Sequence, residues 1–297
     1  MILNDQQHQS YLQNGYLILP KFFSKEELNP LKQWISRLVD ELASHLLKEG
    51  LIADAYSDKP VETRLAWIEK EYPLASVCIH SLGAFSHELQ EFIIHKPMIK
   101  LIESLLGTTP ALHPVWNLRA KTPRNPLATV PWHQDTAYLQ AGSHHIPQIS
   151  TWIPLFDVTV DQGPLVFIKE GHTQAKVFPH QLESLTGHPD SWYRNIKNDD
   201  LPKGQQEVCP VKAGSLIIFN QLIPHCCLEN HSQTVRWTID LRWQDPNLPN
   251  GMGGGKECLP VLSTKEQWSK WGNIKRPGQN PSTYNPSIKG PWLDRWK

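Results

Sequence analysis

Three side chains of this 297-residue chain have the types and spacing to hold a redox-active metal. His133 and Asp135 flank Gln134 in the run Val130-Pro-Trp-His-Gln-Asp-Thr-Ala-Tyr138, and His225 lies far downstream, just after the apolar run Ser215-Leu-Ile-Ile-Phe219. Two imidazoles and one carboxylate can occupy one face of a ferrous ion and leave three positions open, the ligand set of non-haem iron oxygenases. Arg236, eleven residues beyond His225, can then hold the carboxylate of a cosubstrate with its planar fork.

A second His-x-Asp triplet competes, His188-Pro-Asp190. It sits in Gly187-His-Pro-Asp-Ser-Trp192, which has turn composition and no apolar alternation. Only 34 residues separate Asp190 from His225, against 89 from Asp135. The longer interval accommodates five or more strands with their turns. The triplet at 133 and 135 is therefore taken as the site and that at 188 and 190 as a surface turn.

Elements must carry these residues to one place. Ser24 and Glu27 form a capping box ahead of a helix whose stripe is Leu28, Leu31, Ile35, Leu38, Val39, Leu42 and Leu46. Residues 87–106 read as a helix or pair of helices broken near Pro97. From Ala111 the texture changes to short apolar or alternating runs punctuated by Pro and Gly: 112–120, 129–134, 148–156, 164–168, 206–211, 215–220, 223–228 and 234–243. That pattern predicts an antiparallel sandwich or barrel. The expected fold class is mainly β with flanking α-helices (α+β), with a double-stranded β-helix (jelly-roll, cupin-like) core. One domain is expected over 1–297: a helical part to about 110, the β core at about 111–245 and a loop-rich tail over 246–297. In the last core strand Arg236, Thr238 and Asp240 share one face and Trp237, Ile239 and Leu241 the other, so Arg236 and Asp240 can pair. Arg119 and Lys121 read as solvated edge charges or as contacts to cosubstrate and substrate.

These motifs resemble those of the phytanoyl-CoA dioxygenase family of iron- and 2-oxoglutarate-dependent oxygenases. Trp132-His-Gln-Asp135 is similar to its proximal ligand motif. Thr151-Trp-Ile-Pro-Leu-Phe-Asp-Val-Thr-Val-Asp-Gln-Gly-Pro-Leu-Val-Phe-Ile-Lys-Glu-Gly-His172 resembles its central hairpin. Gly214-Ser-Leu-Ile-Ile-Phe219 through Pro224, His225, Asn230 and Arg236 resembles its distal segment. The hairpin typically ends Gly-Ser-His; here Glu170 and Gly171 precede His172. The resemblance implies Fe(II) on His133, Asp135 and His225, with 2-oxoglutarate and O2 as cosubstrates. It implies 2-oxoglutarate anchored by Arg236 and touched by Trp152, with Thr151 the neighbouring polar alternative, and no catalytic group beyond the metal ligands. Halogenating relatives replace the carboxylate ligand with a small residue, so Asp135 points to hydroxylation, or to desaturation or ring closure. Where the family often has Ser two residues past the distal His, this chain has Cys227, a weaker hydrogen-bond partner. The alternatives are a cupin-like Zn(II) hydrolase or isomerase and a non-enzymatic metal-binding module.

Composition bounds the partners. Formal net charge is zero, which favours neither nucleic acid nor an anionic membrane, and no apolar run approaches the ~20 residues of a membrane span. The five cysteines form no paired framework, and the first residues show no secretory signal. Reduced thiols in a cytoplasmic enzyme are expected, with a free small molecule as substrate and the oligomeric state left open. The unmatched segment 46–82, with Tyr56, Trp67 and Tyr72, and the Gly-rich stretch 250–255 are expected to flank the mouth of the barrel.

Overall fold

The computed structural model describes residues 3–82, 86–182, 193–253 and 258–261. Six helices come first, with one strand among them: α1 (Asp5–Asn14), β1 (Tyr16–Leu19), α2 (Lys25–Lys48), α3 (Val61–Glu71), α4 (Ala75–Leu82), α5 (His87–Ile93) and α6 (Lys96–Leu106). The Ser24–Glu27 capping box starts α2 as its sequence dictates. All seven stripe residues of that helix are buried in one apolar cluster. The pair at 87–106 breaks at Ile94 and His95, and Pro97 falls in the first turn of α6, where its missing N–H costs nothing.

The strands follow: β2 (Ala111–Leu112), β3 (Asn117–Lys121), β4 (Gln148–Pro154), β5 (Leu165–Ile168), β6 (Gln181–Leu182), β7 (Arg194–Asn195), β8 (Gln206–Cys209), β9 (Leu216–Asn220), β10 (His225–Cys227), β11 (Arg236–Gln244) and β12 (Leu259–Pro260). The larger sheet runs β1-β9-β4-β11-β2-β12, with β3 also paired to β11; a smaller one runs β10-β5-β8, and every pairing is antiparallel. The run at 129–134 is not a named strand. It meets β10 through an isolated bridge at His133 and His225.

Alternation divides the larger sheet into two faces. Leu118, Ala120, Ile149, Ile153, Leu216, Ile218, Trp237, Ile239, Leu241 and Trp243 join α2 to α6 in one core. Trp152, Ile217 and Phe219 point the other way and meet Leu165, Phe167 and Cys227 of the smaller sheet in a second cluster. The helices thus cover the outside of the larger sheet, and the space between the sheets is left for polar residues of alternating strands. That space holds the candidate site.

Candidate metal centre

The bridge to β10 sets the first two ligands. His133 N–H donates to the carbonyl of His225 and His225 N–H to that of His133, both at 2.9 Å. This locks the imidazoles side by side, with ring centroids 4.1 Å apart. Gln134 leaves the bridge in extended conformation, and Asp135 opens a 3-10 turn, so residues 133 and 135 face the same way. Gln134 faces elsewhere: its amide nitrogen donates to the carbonyls of Lys176 (3.0 Å) and Leu222 (2.6 Å), and its oxygen accepts from the N–H of Phe178 (2.8 Å). The middle residue of the triplet is thus a tie between loops.

The side-chain ligand atoms of His133, Asp135 and His225 all lie within 4.8 Å of one another, and all three residues are buried. Each imidazole is fixed through Nδ1, at 2.8 Å from the carbonyl of Pro131 and 3.0 Å from that of Ile223. A carbonyl accepts only, so Nδ1 carries the proton and Nε2 offers its lone pair inward. Burial, reinforced by the neighbouring His225, holds His133 well below its ordinary pKa; burial likewise lowers His225, against the opposing Asp135. Burial would raise the Asp135 carboxyl, but Arg242, the two imidazoles and Ser150 outweigh it and hold the group ionised. Neutral imidazoles and an ionised carboxylate are the protonation states a divalent metal requires. The residues present therefore fit a ferrous ion.

The carboxylate is gripped on both oxygens. Ser150 donates to Oδ2, and a guanidinium N–H of Arg242 donates to Oδ1. Both partners escaped the sequence reading, though its own alternation rule reaches them. Ser150 shares the inner face of β4 with Trp152, and Arg242 is the next inward residue of β11 after Asp240.

Arg236 is 2% exposed. One N–H of its fork donates to the carbonyl of Gly163, its Nε has no partner, and its guanidinium carbon lies 5.4 Å from the centre of the Trp152 ring. A buried donor without an acceptor is costly, and an incoming carboxylate would satisfy it. Gly163 is required at this contact: its φ is +71°, and a Cβ there would lie 2.3 Å from the carbonyl oxygen of Leu228.

Three expectations change. Thr151 is turned to the helix side of the sheet, where it accepts from Trp243 Nε1 at 3.0 Å and donates to the carbonyl of Leu241 at 3.4 Å. Strand alternation, which brings Ser150 and Trp152 inward, excludes it from the site. Arg236 and Asp240 do not pair, although they share a face, because Arg119 across the β3–β11 ladder pairs with Asp240 instead. Lys121 is not a solvated edge charge but is 1% exposed. Its ammonium donates to the carbonyl of Ala128 (3.0 Å), to Thr129 Oγ1 (3.2 Å) and to the Cys227 sulfur (3.1 Å). Burial and the nearby Arg236 bring that ammonium down to about 8, against the opposing pull of Cys227. Burial pushes the Cys227 thiol up, but Lys121 and Arg236 outweigh it and bring it to about 7. His188 and Asp190 lie outside the described residues.

A cleft opens beside Arg236, lined by Ser76, Val77 and His80 of α4 and by Arg119, Lys121 and Tyr193. The segment 46–82 thus reaches the cleft through α4. Its aromatics lie apart from that lining: Tyr56 stacks on Trp67 with ring centroids 5.9 Å apart, and Lys70 covers the same Trp67 ring.

Comparison with known proteins bears on the family and the fold. The sequence profile described as Phytanoyl-CoA dioxygenase (PhyH) matches residues 11–238. The chain is 19% identical over 274 residues to the peroxisomal phytanoyl-CoA dioxygenase of Mus musculus, covering 90% of this chain and 73% of that one. Among solved structures it resembles the non-haem monooxygenase ThoJ, with a TM-score of 0.58, 16% identity and coverage of 93% and 97%. It also resembles SnoK, a non-haem α-ketoglutarate-dependent carbocyclase from nogalamycin biosynthesis, with a TM-score of 0.52, 21% identity and coverage of 82% and 85%. At such identities the two structures establish a shared fold, while the family profile spans the triplet, the bridge and Arg236 together. The chain belongs to the phytanoyl-CoA dioxygenase family, the non-haem oxygenases that work with iron, 2-oxoglutarate and O2.

Proposed function

We propose that the chain hydroxylates an unactivated carbon of a small free metabolite or natural-product intermediate, with iron on His133, Asp135 and His225 and 2-oxoglutarate anchored by Arg236 against Trp152. The observation that carries this reading is the buried cluster of two Nε2 lone pairs and one ionised carboxylate, between sheets we read as a double-stranded β-helix. A retained carboxylate ligand favours hydroxylation. When bound, ferrous iron with 2-oxoglutarate supplies the activation of O2 that oxidises a C–H bond while the keto acid becomes succinate and CO2.

The chain's own residues do the rest. The carbonyls of Pro131 and Ile223 hold both imidazoles in the metal-binding tautomer. Ser150 and Arg242 fix the carboxylate. Phe167 and Phe219 pack at ring-centroid distances of 5.8 Å and 4.8 Å from His225 and keep water from that side. Arg236 offers a buried charged donor with an open Nε to the far carboxylate of the dicarboxylate.

Anaerobic addition of Fe(II) and then 2-oxoglutarate is expected to produce a weak visible charge-transfer band. His133→Ala, Asp135→Ala and His225→Ala should each abolish it with loss of iron, while His188→Ala and Asp190→Ala keep it. Loss of iron in the 188 or 190 variants would show that the wrong triplet was chosen. Turnover-coupled succinate release across a panel of small acids, amino acids and polyketide-like compounds would then identify the substrate class.

A further inference from the structure

Among the described residues, buried cations outnumber buried carboxylates around the candidate site, even with Lys121 set against the Cys227 sulfur. Asp135 is the one buried carboxylate among them, against the buried Lys121, Arg194, Arg236 and Arg242. Arg119 and Asp240 cancel each other. Ferrous iron and the 2-oxoglutarate dianion also cancel, so loading the site as proposed above leaves the excess positive charge in place.

Arg242 is where this excess lies nearest the metal ligands. Its side chain is 9% exposed, and it donates to Asp135 through Nη2. Its Nη1 is buried and has no partner. Arg236 lies six positions away on the same face of β11 and has other partners, Gly163 and the Trp152 ring, so the two forks are engaged differently. Arg194, the residue that follows Tyr193, is a further buried cation. Its backbone N–H donates to the Tyr138 hydroxyl at 3.0 Å, and the Tyr138 ring stands edge-on to His133 with ring centroids 5.6 Å apart.

We propose that Arg242 is a specificity-determining residue: its Nη1 takes a carboxylate of the substrate and so places the carbon to be oxidised beside the metal, while its Nη2 stays on Asp135. The substrate class is thereby an organic acid, not a neutral metabolite. A planar carboxylate suits a guanidinium fork, and a charge-assisted bond in a dry site relieves the unsatisfied N–H. This rests on the ligand assignment made under Proposed function.

The test uses the full chain loaded with Co(II) in place of iron and with saturating 2-oxoglutarate, read by its visible d–d spectrum. Benzoate and its uncharged analogue benzamide are the probes. Benzoate is expected to perturb the spectrum saturably, and benzamide at least about tenfold more weakly. Arg242→Gln should weaken benzoate by about tenfold to a hundredfold, read against the variant's own spectrum with Co(II) and 2-oxoglutarate raised until the site is refilled, and with far-UV circular dichroism reporting the fold. Arg242→Lys, which keeps the charge without the fork, should fall between. Equal binding of the two probes, no benzoate binding in the wild type, or full benzoate binding by either variant would overturn the proposal. Failure of the wild type to form the cobalt–2-oxoglutarate spectrum would instead overturn the ligand assignment beneath it.

Discussion

Arg236 and its guanidinium neighbour on the same strand do different work because of what each already touches. Arg236 has given one N–H to Gly163 and keeps Nε open, so its replacement removes an anchor and leaves the metal ligands intact. Arg236→Ala is expected to keep iron but raise the 2-oxoglutarate requirement by two to three decades, since losing one side of a buried ion pair costs roughly 3–5 kcal/mol. Arg236→Lys should recover only part, because a point charge does not reproduce the fork. Titration of 2-oxoglutarate against the charge-transfer band measures both, and an unchanged affinity in Arg236→Ala removes the residue from the site. The imidazoles give a pH prediction. Both are lowered below their ordinary 6.5 in the fold, so below that pH the unfolded chain binds protons that the native chain refuses. Stability of the metal-free protein should therefore decline as pH falls from about 6.5 towards the folded values. The carboxylate adds nothing in this window, because Asp135 is held below its ordinary 3.8 and its contribution is lost only under more acid conditions. Denaturant melts at pH 7.5, 6.5 and 5.5 read this directly, and a flat profile would mean the imidazoles are not buried as neutral groups.

At the scale of elements, the period-two alternation of β4 and β11 decides which residues face the metal and which face the helices. Thr151 illustrates it. Thr151→Val keeps the volume and removes the acceptor of Trp243 Nε1, so it should cost about 1–3 kcal/mol of stability and leave 2-oxoglutarate affinity unchanged. A change in that affinity with unchanged stability would return Thr151 to the site. Gly163 makes the converse point for a turn. Its positive φ and its 2.3 Å clearance to the Leu228 carbonyl leave no room for a side chain, and a left-handed non-glycine residue alone costs roughly 1–2 kcal/mol. Gly163→Ala should lower the melting temperature and, by shifting the carbonyl that Arg236 grips, weaken 2-oxoglutarate as well. A variant with wild-type melting and binding would show that this turn relaxes freely.

For the whole molecule, the helical half covers the larger sheet and also reaches the site through α4, whose Ser76, Val77 and His80 line the cleft with Arg236. Hydrogen exchange of the zinc-loaded protein is expected to show added protection in residues 75–82 when 2-oxoglutarate binds, with little change over the Tyr56–Trp67 stack. Protection confined to 110–240 would make α4 a cover for the sheet and nothing more. No helix among the described residues is long and apolar enough to cross a membrane.

The buried cluster of His133, Asp135 and His225 was legible in the sequence because its signal is local: a His-x-Asp spacing and a His after an apolar strand. The helix stripe, the capping box and most strand positions were legible for the same reason, since period and cap chemistry are written in neighbouring residues. The family motifs added order along the chain. The tertiary structure alone decided which strands lie side by side, and with that the partners of every buried charge. It paired Asp240 with Arg119 rather than with Arg236, and it buried Lys121 against Cys227. It also buried Lys121, Arg194, Arg236 and Arg242, drawn from more than a hundred residues of a chain of zero formal net charge. Composition sums charge over the whole surface, whereas the field at a metal site depends on a few side chains brought together by antiparallel pairing.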